Sequence, residues 1–209
     1  MFYLSGAENE GTRMLATSHP VGVIVGPGKW SLSRLAPYRM WAADNGCFSK
    51  GEAFDLGAYL CWLATLPTDG CLFATAPDVV GDARATWERS RRVLPAIRRM
   101  GFPAALVAQD GLDHTALDWD AFDCLFVGGT TVYKLSESAY AAVREAKRRG
   151  KHTHMGRVNS LRRLRLAAMA GYDSADGTFL KFGPVKNAPR VRAWLDELRR
   201  QPSLPMGAA

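Results

Sequence analysis

The stretch His152–Thr178 reads HTHMGRVNSLRRLRLAAMAGYDSADGT. His152–Met155 reads as a short strand that stops at Gly156, Ser160 as the cap of a helix over Leu161–Ala170, and Tyr172 as the start of another short strand. Strand, capped helix, strand is the repeating unit of a parallel sheet, because parallel neighbours need a crossover between them. The question for the rest of the chain is whether that unit repeats.

It does. Upstream, strands are predicted over Phe2–Ser5, Val21–Val25, Met40–Ala43, Cys71–Ala76, Ala104–Ala108 and Asp123–Val127, each followed within two residues by Gly, Pro, Asp or Asn. Between them lie a polar, helix-compatible segment through Thr17 and a helix over Phe54–Leu66. On the latter, Phe54, Leu56, Tyr59, Leu60 and Leu63 share one broad face. A long helix over Ala83–Met100 is capped by Asp82 and closed by Gly101, another runs from Ser136 to Arg149, and a last helix covers Arg190–Arg200. Eight short strands alternating with helices predict a compact α/β protein, a (β/α)8 TIM-like barrel, with an open doubly wound sheet as the alternative. At 209 residues the chain is short for that barrel, so some helices are expected to be vestigial. Residues 1–200 make a single catalytic barrel domain in this reading, and the Pro- and Gly-containing 201–209 a disordered tail.

The polar residues Asp44, Asp78, Gln109, Gly129, Gly156 and Asp176 each sit at the C-terminal end of a predicted strand. In a barrel those ends converge on one mouth, and the active site is expected there. Turn-forming residues also gather after strands for purely local reasons, Asp173 and Asp176 among them, so placement alone leaves a structural role open.

Composition sets the outer limits. Hydrophobic residues make up 47%, enough for a large core, and no apolar run is long enough to cross a bilayer. The N-terminus lacks the basic start and apolar core of a secretory signal, so a cytoplasmic protein is expected, and the host cell cytoplasm if it is phage-encoded. Cys47, Cys61, Cys71 and Cys124 have neither metal-ligand nor disulfide-framework spacing, with Cys61 and Cys124 read as core residues. The formal charge of +7 suits a polyanionic partner such as nucleic acid. Arg89, Arg91, Arg92, Arg98 and Arg99, the Arg144–Lys151 cluster and Arg162–Arg165 form basic helix faces that are either solvated surface or phosphate contacts.

Two apparent motifs fail. Gly26-Pro-Gly-Lys29 lacks the first Gly and the hydroxyl residue of a phosphate loop, having Val23 and Trp30 instead, and reads as a turn. His152 and His154 face the same side of one strand but have no third ligand at suitable spacing, so they read as ordinary strand residues and no metal is expected.

Taken together, Asp44-Asn-Gly-Cys-Phe48, Ala76-Pro-Asp78, Gln109-Asp-Gly111, Val127-Gly-Gly129, His154-Met-Gly156 and Gly171-Tyr-Asp-Ser-Ala-Asp176 occur in the order seen in tRNA-guanine transglycosylases. The chain most resembles the shorter, phage-type branch of that superfamily, which inserts 7-deazaguanines into DNA. The resemblance implies that Asp176 is the nucleophile and Asp44 the acid/base carboxylate. It implies that Phe48 stacks on the base, Asp78 reads the purine N–H edge, and Gln109, or Asp110 after a one-residue slip, reads the carbonyl edge. Gly128, Gly129, Met155 and Gly156 are implied to wall the base pocket, and Arg157, Lys134 and Lys181 to contact nucleic acid. The implied partners are double-stranded DNA with its target base flipped out and a preQ0-like 7-deazaguanine, with no cofactor required. The tRNA enzymes carry a Cys/His zinc site after the nucleophile, but no Cys or His follows Asp176, which turns the expectation from tRNA towards DNA. An RNA-directed exchange enzyme, a base-removing hydrolase and a non-catalytic nucleic-acid-binding barrel remain the rival readings. All the catalytic readings require Asp44 and Asp176 to meet across one purine-sized cavity.

Overall fold

The computed structural model describes residues 1–28 and 32–200. Eight parallel strands pair in sequence order and close on themselves: β1 (Phe2–Ser5), β2 (Val21–Val25), β3 (Trp41–Ala43), β4 (Cys71–Thr75), β5 (Ala104–Ala108), β6 (Cys124–Val127), β7 (His152–Met155) and β8 (Ser174–Gly177). Closure runs through β1 and β8, where Phe2, Tyr3, Leu4 and Ser5 pair with Ser174, Ala175, Asp176 and Gly177. The barrel is therefore present and the open sheet is excluded. The tail at 201–209 and Lys29 lie outside the described residues.

Period-two alternation sorts the strand side chains into two layers. Leu4, Ala42, Phe73, Ala105 and Cys124, with Ile24 and Phe126 against them, fill the barrel interior. Their neighbours Tyr3, Val23, Val25, Trp41, Ala74, Leu106, Leu125 and Met155 point outward into the larger layer beneath the helices.

The helices are α1 (Glu10–Ala16), α2 (Leu32–Leu35), α3 (Cys47–Lys50), α4 (Leu56–Leu63), α5 (Ala83–Ser90), α6 (Leu94–Arg99), α7 (Thr131–Lys134), α8 (Glu137–Arg148), α9 (Leu161–Met169) and α10 (Pro184–Arg200). The side chains of Asp82, Ser136 and Ser160 cap α5, α8 and α9 as expected, each accepting a backbone N–H three residues on. Between β5 and β6 the only helical structure is two 3₁₀ turns, His114–Ala116 and Trp119–Ala121, and between β2 and β3, among the described residues, it is the single turn of α2, so these are the vestigial crossovers.

Several expectations need correcting. The long helix over Ala83–Met100 is two helices, because Pro95 has no N–H to offer the Arg91 carbonyl and its ring crowds that turn. The last helix begins at Pro184 instead of Arg190, proline being well suited to a first helical turn. Strand β8 starts at Ser174 instead of Tyr172, and β3 at Trp41 instead of Met40. On α4, Tyr59 and Leu63 are buried but Leu56 is exposed, and Cys61 is also exposed, since the helix packs on a narrower stripe than its apolar content suggests. Among the described residues no helix is long and apolar enough to cross a membrane.

Candidate active site

The mouth of the barrel holds a cavity of about 520 Å³, within the range that encloses small ligands. Asp44 after β3, Asp78 after β4, Gln109 after β5, Gly128 and Gly129 after β6, Gly156 and Arg157 after β7, and Asp176 on β8 all line it, together with Phe48, Thr178 and Lys181. Two carboxylates 132 positions apart thus share one chamber because their strands end on the same rim.

Asp78 is nearly enclosed and held by two amides. Asn45 donates from Nδ2 at 3.1 Å and Gln109 from Nε2 at 2.6 Å. Gln109 is fixed from its other end, where Oε1 accepts the Gly81 N–H at 3.0 Å. Asp110 turns the other way and accepts from the Thr130 N–H and hydroxyl, so of the two neighbours it is Gln109 that lines the cavity. Burial pushes the Asp78 carboxyl above its ordinary range, and the Asn45 and Gln109 hydrogen bonds oppose that rise.

Asn45 escaped sequence reading because Asp-Asn-Gly signals a turn. It does help to form one: Gly46 takes a left-handed φ of 80° and leads into α3. But the buried Asn45 side chain also reaches Ala76 O at 2.8 Å and accepts from Cys47 N, tying the β3 loop to the β4 loop.

Asp44 accepts the Gly46 N–H at 3.2 Å. Burial raises its carboxyl to about 6; the Gly46 N–H works against this, and the negative charges of Asp176 and Asp78 add to it. A carboxyl titrating there can both give and take a proton near neutral pH.

Asp176 is presented differently. Its Oδ1 accepts from His154 Nε2 at 3.0 Å and from the Arg157 backbone N–H at 3.1 Å. Among the described residues no hydrogen bond to its Oδ2 occurs, while the side chain still lines the cavity. Arg157 reaches this position with a φ of 60°, left-handed backbone that is strained for a residue with a Cβ. The same turn lays its guanidinium over the Phe48 ring, 4.6 Å from the centroid.

His154 is thus a site residue that sequence reading missed. The available signal was period two: with Asp176 pointing inward on β8, Ser174 also points inward, and so do His152 and His154 across the ladder.

Gly128 and Gly129 are needed by geometry. A Cβ on Gly128 would sit 2.9 Å from Val107 Cγ1 and 3.2 Å from Gln109 Nε2, and Gly129 has a φ of 71°. One implied role moves. Met155 is buried in the outer layer and does not line the cavity, because on β7 it alternates with His154. Lys134 is buried with its ammonium on the Gly156 carbonyl at 2.8 Å, where it braces the pocket wall and also lines the hollow beside the cavity, and burial lowers it to about 8. Lys181 is exposed at the rim.

A second hollow of about 340 Å³ adjoins the cavity, sharing Phe48, Val80, Gly129 and Arg157 with it and adding Arg163, Asn159 and Thr131. Several cations of the outer helices are instead paired: Arg98 with Asp123, Arg148 and Arg149 with Glu145, and Arg165 with Glu197.

No protein-family model and no curated protein matches the chain. Among solved structures, a chain in tryptophan synthase from M. tuberculosis is similar over 94% of this chain and 88% of its own, at 16% identity and a TM-score of 0.56. A chain in the Amycolatopsis orientalis BexX/CysO complex is similar over 99% and 94%, at 19% identity and the same TM-score of 0.56. Likeness at such identities speaks to fold alone, and the fold is a closed (β/α)8 barrel. At its mouth this barrel carries the chamber lined by Asp44, Asp78 and Asp176.

Proposed function

We propose that this protein is a base-exchanging transglycosylase that replaces guanine in DNA with a 7-deazaguanine. The observation that carries the reading is the meeting of Asp44 and Asp176 in one purine-sized cavity, beside the Asp78–Gln109 pair. One acid is poised to exchange protons and the other keeps an oxygen without a hydrogen-bond donor.

In the first half-reaction Asp176 Oδ2 attacks C1′ of the target deoxynucleotide. The bond from C1′ to guanine breaks, the bonding pair leaves with the base, and Asp44 supplies the proton that guanine needs. In the second half-reaction the 7-deazaguanine gives a proton to Asp44 and attacks C1′, which releases Asp176. Two displacements give net retention, as with paired carboxylates in retaining glycosidases. Asp78 and Gln109 are placed to accept from and donate to the hydrogen-bonding edge of the base.

The target must leave the DNA stack to reach the chamber, which costs a few kcal/mol. Arg157 and Arg163, in the hollow beside the chamber, are placed to offset that through phosphate contacts. The test incubates the purified protein with double-stranded DNA or RNA and candidate 7-deazaguanines, then digests the polymer to nucleosides for mass spectrometry. Incorporation into DNA that disappears in Asp176→Ala is the expected result. Incorporation only into RNA, or abasic sites without incorporation, would replace this reading with the corresponding rival.

A further inference from the structure

Below the carboxylates, the barrel interior contains a polar string in an otherwise apolar core. His152 Nε2 lies 2.8 Å from Ser174 Oγ, and Ser174 Oγ lies 2.8 Å from His154 Nδ1. His154 Nε2 then lies 3.0 Å from Asp176 Oδ1. His154 is wholly buried, its ring 4.5 Å from that of Phe126 and 4.9 Å from that of Phe73, so it touches nothing that enters the chamber. We infer that His154 is a positioning residue for Asp176: its Nε2–H pins Oδ1, and Ser174 and His152 beneath it fix the ring, so that Oδ2 is the oxygen turned towards C1′.

The direction of that hydrogen bond follows from proton counting. A carboxylate only accepts, so Nε2 of His154 must carry a hydrogen whichever way the Ser174 hydroxyl points. With the hydrogen on Nε2, Nδ1 of His154 presents a lone pair, so the Ser174 hydroxyl donates to it and its oxygen accepts from His152 Nε2–H, which leaves no orphaned polar atom along the string. Burial holds His152 down at about 4, so its ring stays neutral inside the barrel. The Arg157 N–H converges on the same oxygen from the rim at 3.1 Å. With one oxygen gripped from both sides, rotation of the carboxylate would break two hydrogen bonds at once. A nucleophile needs such restraint, because a displacement of about 1 Å from the attacking geometry is enough to lose about a hundredfold in rate.

This inference rests on the transglycosylase reading, and its test separates the two. The full chain is prepared as wild type, His154→Phe, His154→Gln and Asp176→Asn, each checked for folding by circular dichroism. Phe keeps a ring against Phe73 and Phe126 but has no N–H, whereas Gln keeps an N–H near the position of Nε2. In steady-state guanine exchange, His154→Phe is expected to lose about 10- to 100-fold in kcat with the KM for the base unchanged, and His154→Gln to recover most of it. Independently, nitrogen-15 spectra of histidine-labelled protein should show a protonated Nε2 on His154 whose signal moves in Asp176→Asn. Wild-type kcat in His154→Phe, equal losses in both variants, or an unprotonated His154 Nε2 would overturn the inference. If the wild-type protein exchanges no base at all, the functional reading fails, and the spectra still decide whether His154 holds Asp176.

Discussion

Asp44→Asn should make this protein more stable while removing its activity, and the gain should depend on pH. The folded carboxyl is raised from 3.8 to about 6, chiefly by burial and then, against the Gly46 N–H, by the charges of Asp176 and Asp78. Between those values the folded chain retains a proton that the unfolded chain has released, so stability falls as pH rises through the window and is lowest above it. At 1.36 kcal/mol per pH unit the interval corresponds to about 3 kcal/mol of destabilisation above pH ~6. Part of the side chain opens into the cavity, where solvent screens its neighbours, and this reduces the figure to about 2 kcal/mol. Asn has nearly the same shape and can still accept the Gly46 N–H, but it is never charged. At pH 8 the variant should therefore be about 2 kcal/mol more stable than wild type, a rise in Tm of about 4–8 °C for a chain of this size. Near pH 4 the difference should almost vanish. Urea unfolding of both proteins at the two pH values measures it. No gain at pH 8, or the same gain at both, would refute the argument that burial and neighbouring acids strain Asp44.

The release of guanine in a single turnover should slow as pH rises through about 6, since Asp44 must be protonated to assist the leaving base; a flat rate profile from pH 5 to 8 would contradict its role. Asp173 offers a contrast with Asp176: burial pushes its carboxyl up, but the Lys147 ammonium and the Thr153 N–H more than reverse that and hold it low. Asp173→Asn should therefore cost about 1–3 kcal/mol at pH 7, a loss that fades as pH falls below the ordinary carboxylate range, while leaving exchange by the folded fraction intact; urea unfolding across pH and activity per folded molecule check both parts. Gly128→Ala, whose Cβ would press on Val107 and on Gln109 Nε2, should raise the Kd for the base about tenfold by displacing Gln109 from Asp78, measurable by calorimetry. Arg163→Ala should lower the slope of log binding constant against log salt for DNA by about one, and an unchanged slope would remove Arg163 from the phosphate path.

The order and position of the eight strands, most of the helices and the caps at Asp82, Ser136 and Ser160 were legible in the sequence, because each signal acts over a few neighbouring residues. Apolar runs, a capping side chain three residues from its N–H, and glycines after the last turn need no knowledge of the rest of the chain. The same local logic placed Asp44, Asp78, Gln109 and Asp176 at strand ends. It overreached with the helix over Ala83–Met100, where apolar spacing outvoted Pro95, and with Leu56 and Cys61, where it could not tell how wide a stripe the barrel would cover.

What only the tertiary structure decided is which of these residues meet and which way each one faces. Asn45 reaches Asp78 across 33 positions, Gln109 reaches it across 31, and His154 reaches Asp176 across 22. Those contacts depend on strand register and on closure of β1 against β8, and a slip of one residue would turn each side chain to the opposite layer. Closure also made His152 and His154 the support beneath an acid, buried Lys134 behind the pocket wall and put Met155 in the outer layer, because inside and outside of a barrel exist only once the last strand has joined the first.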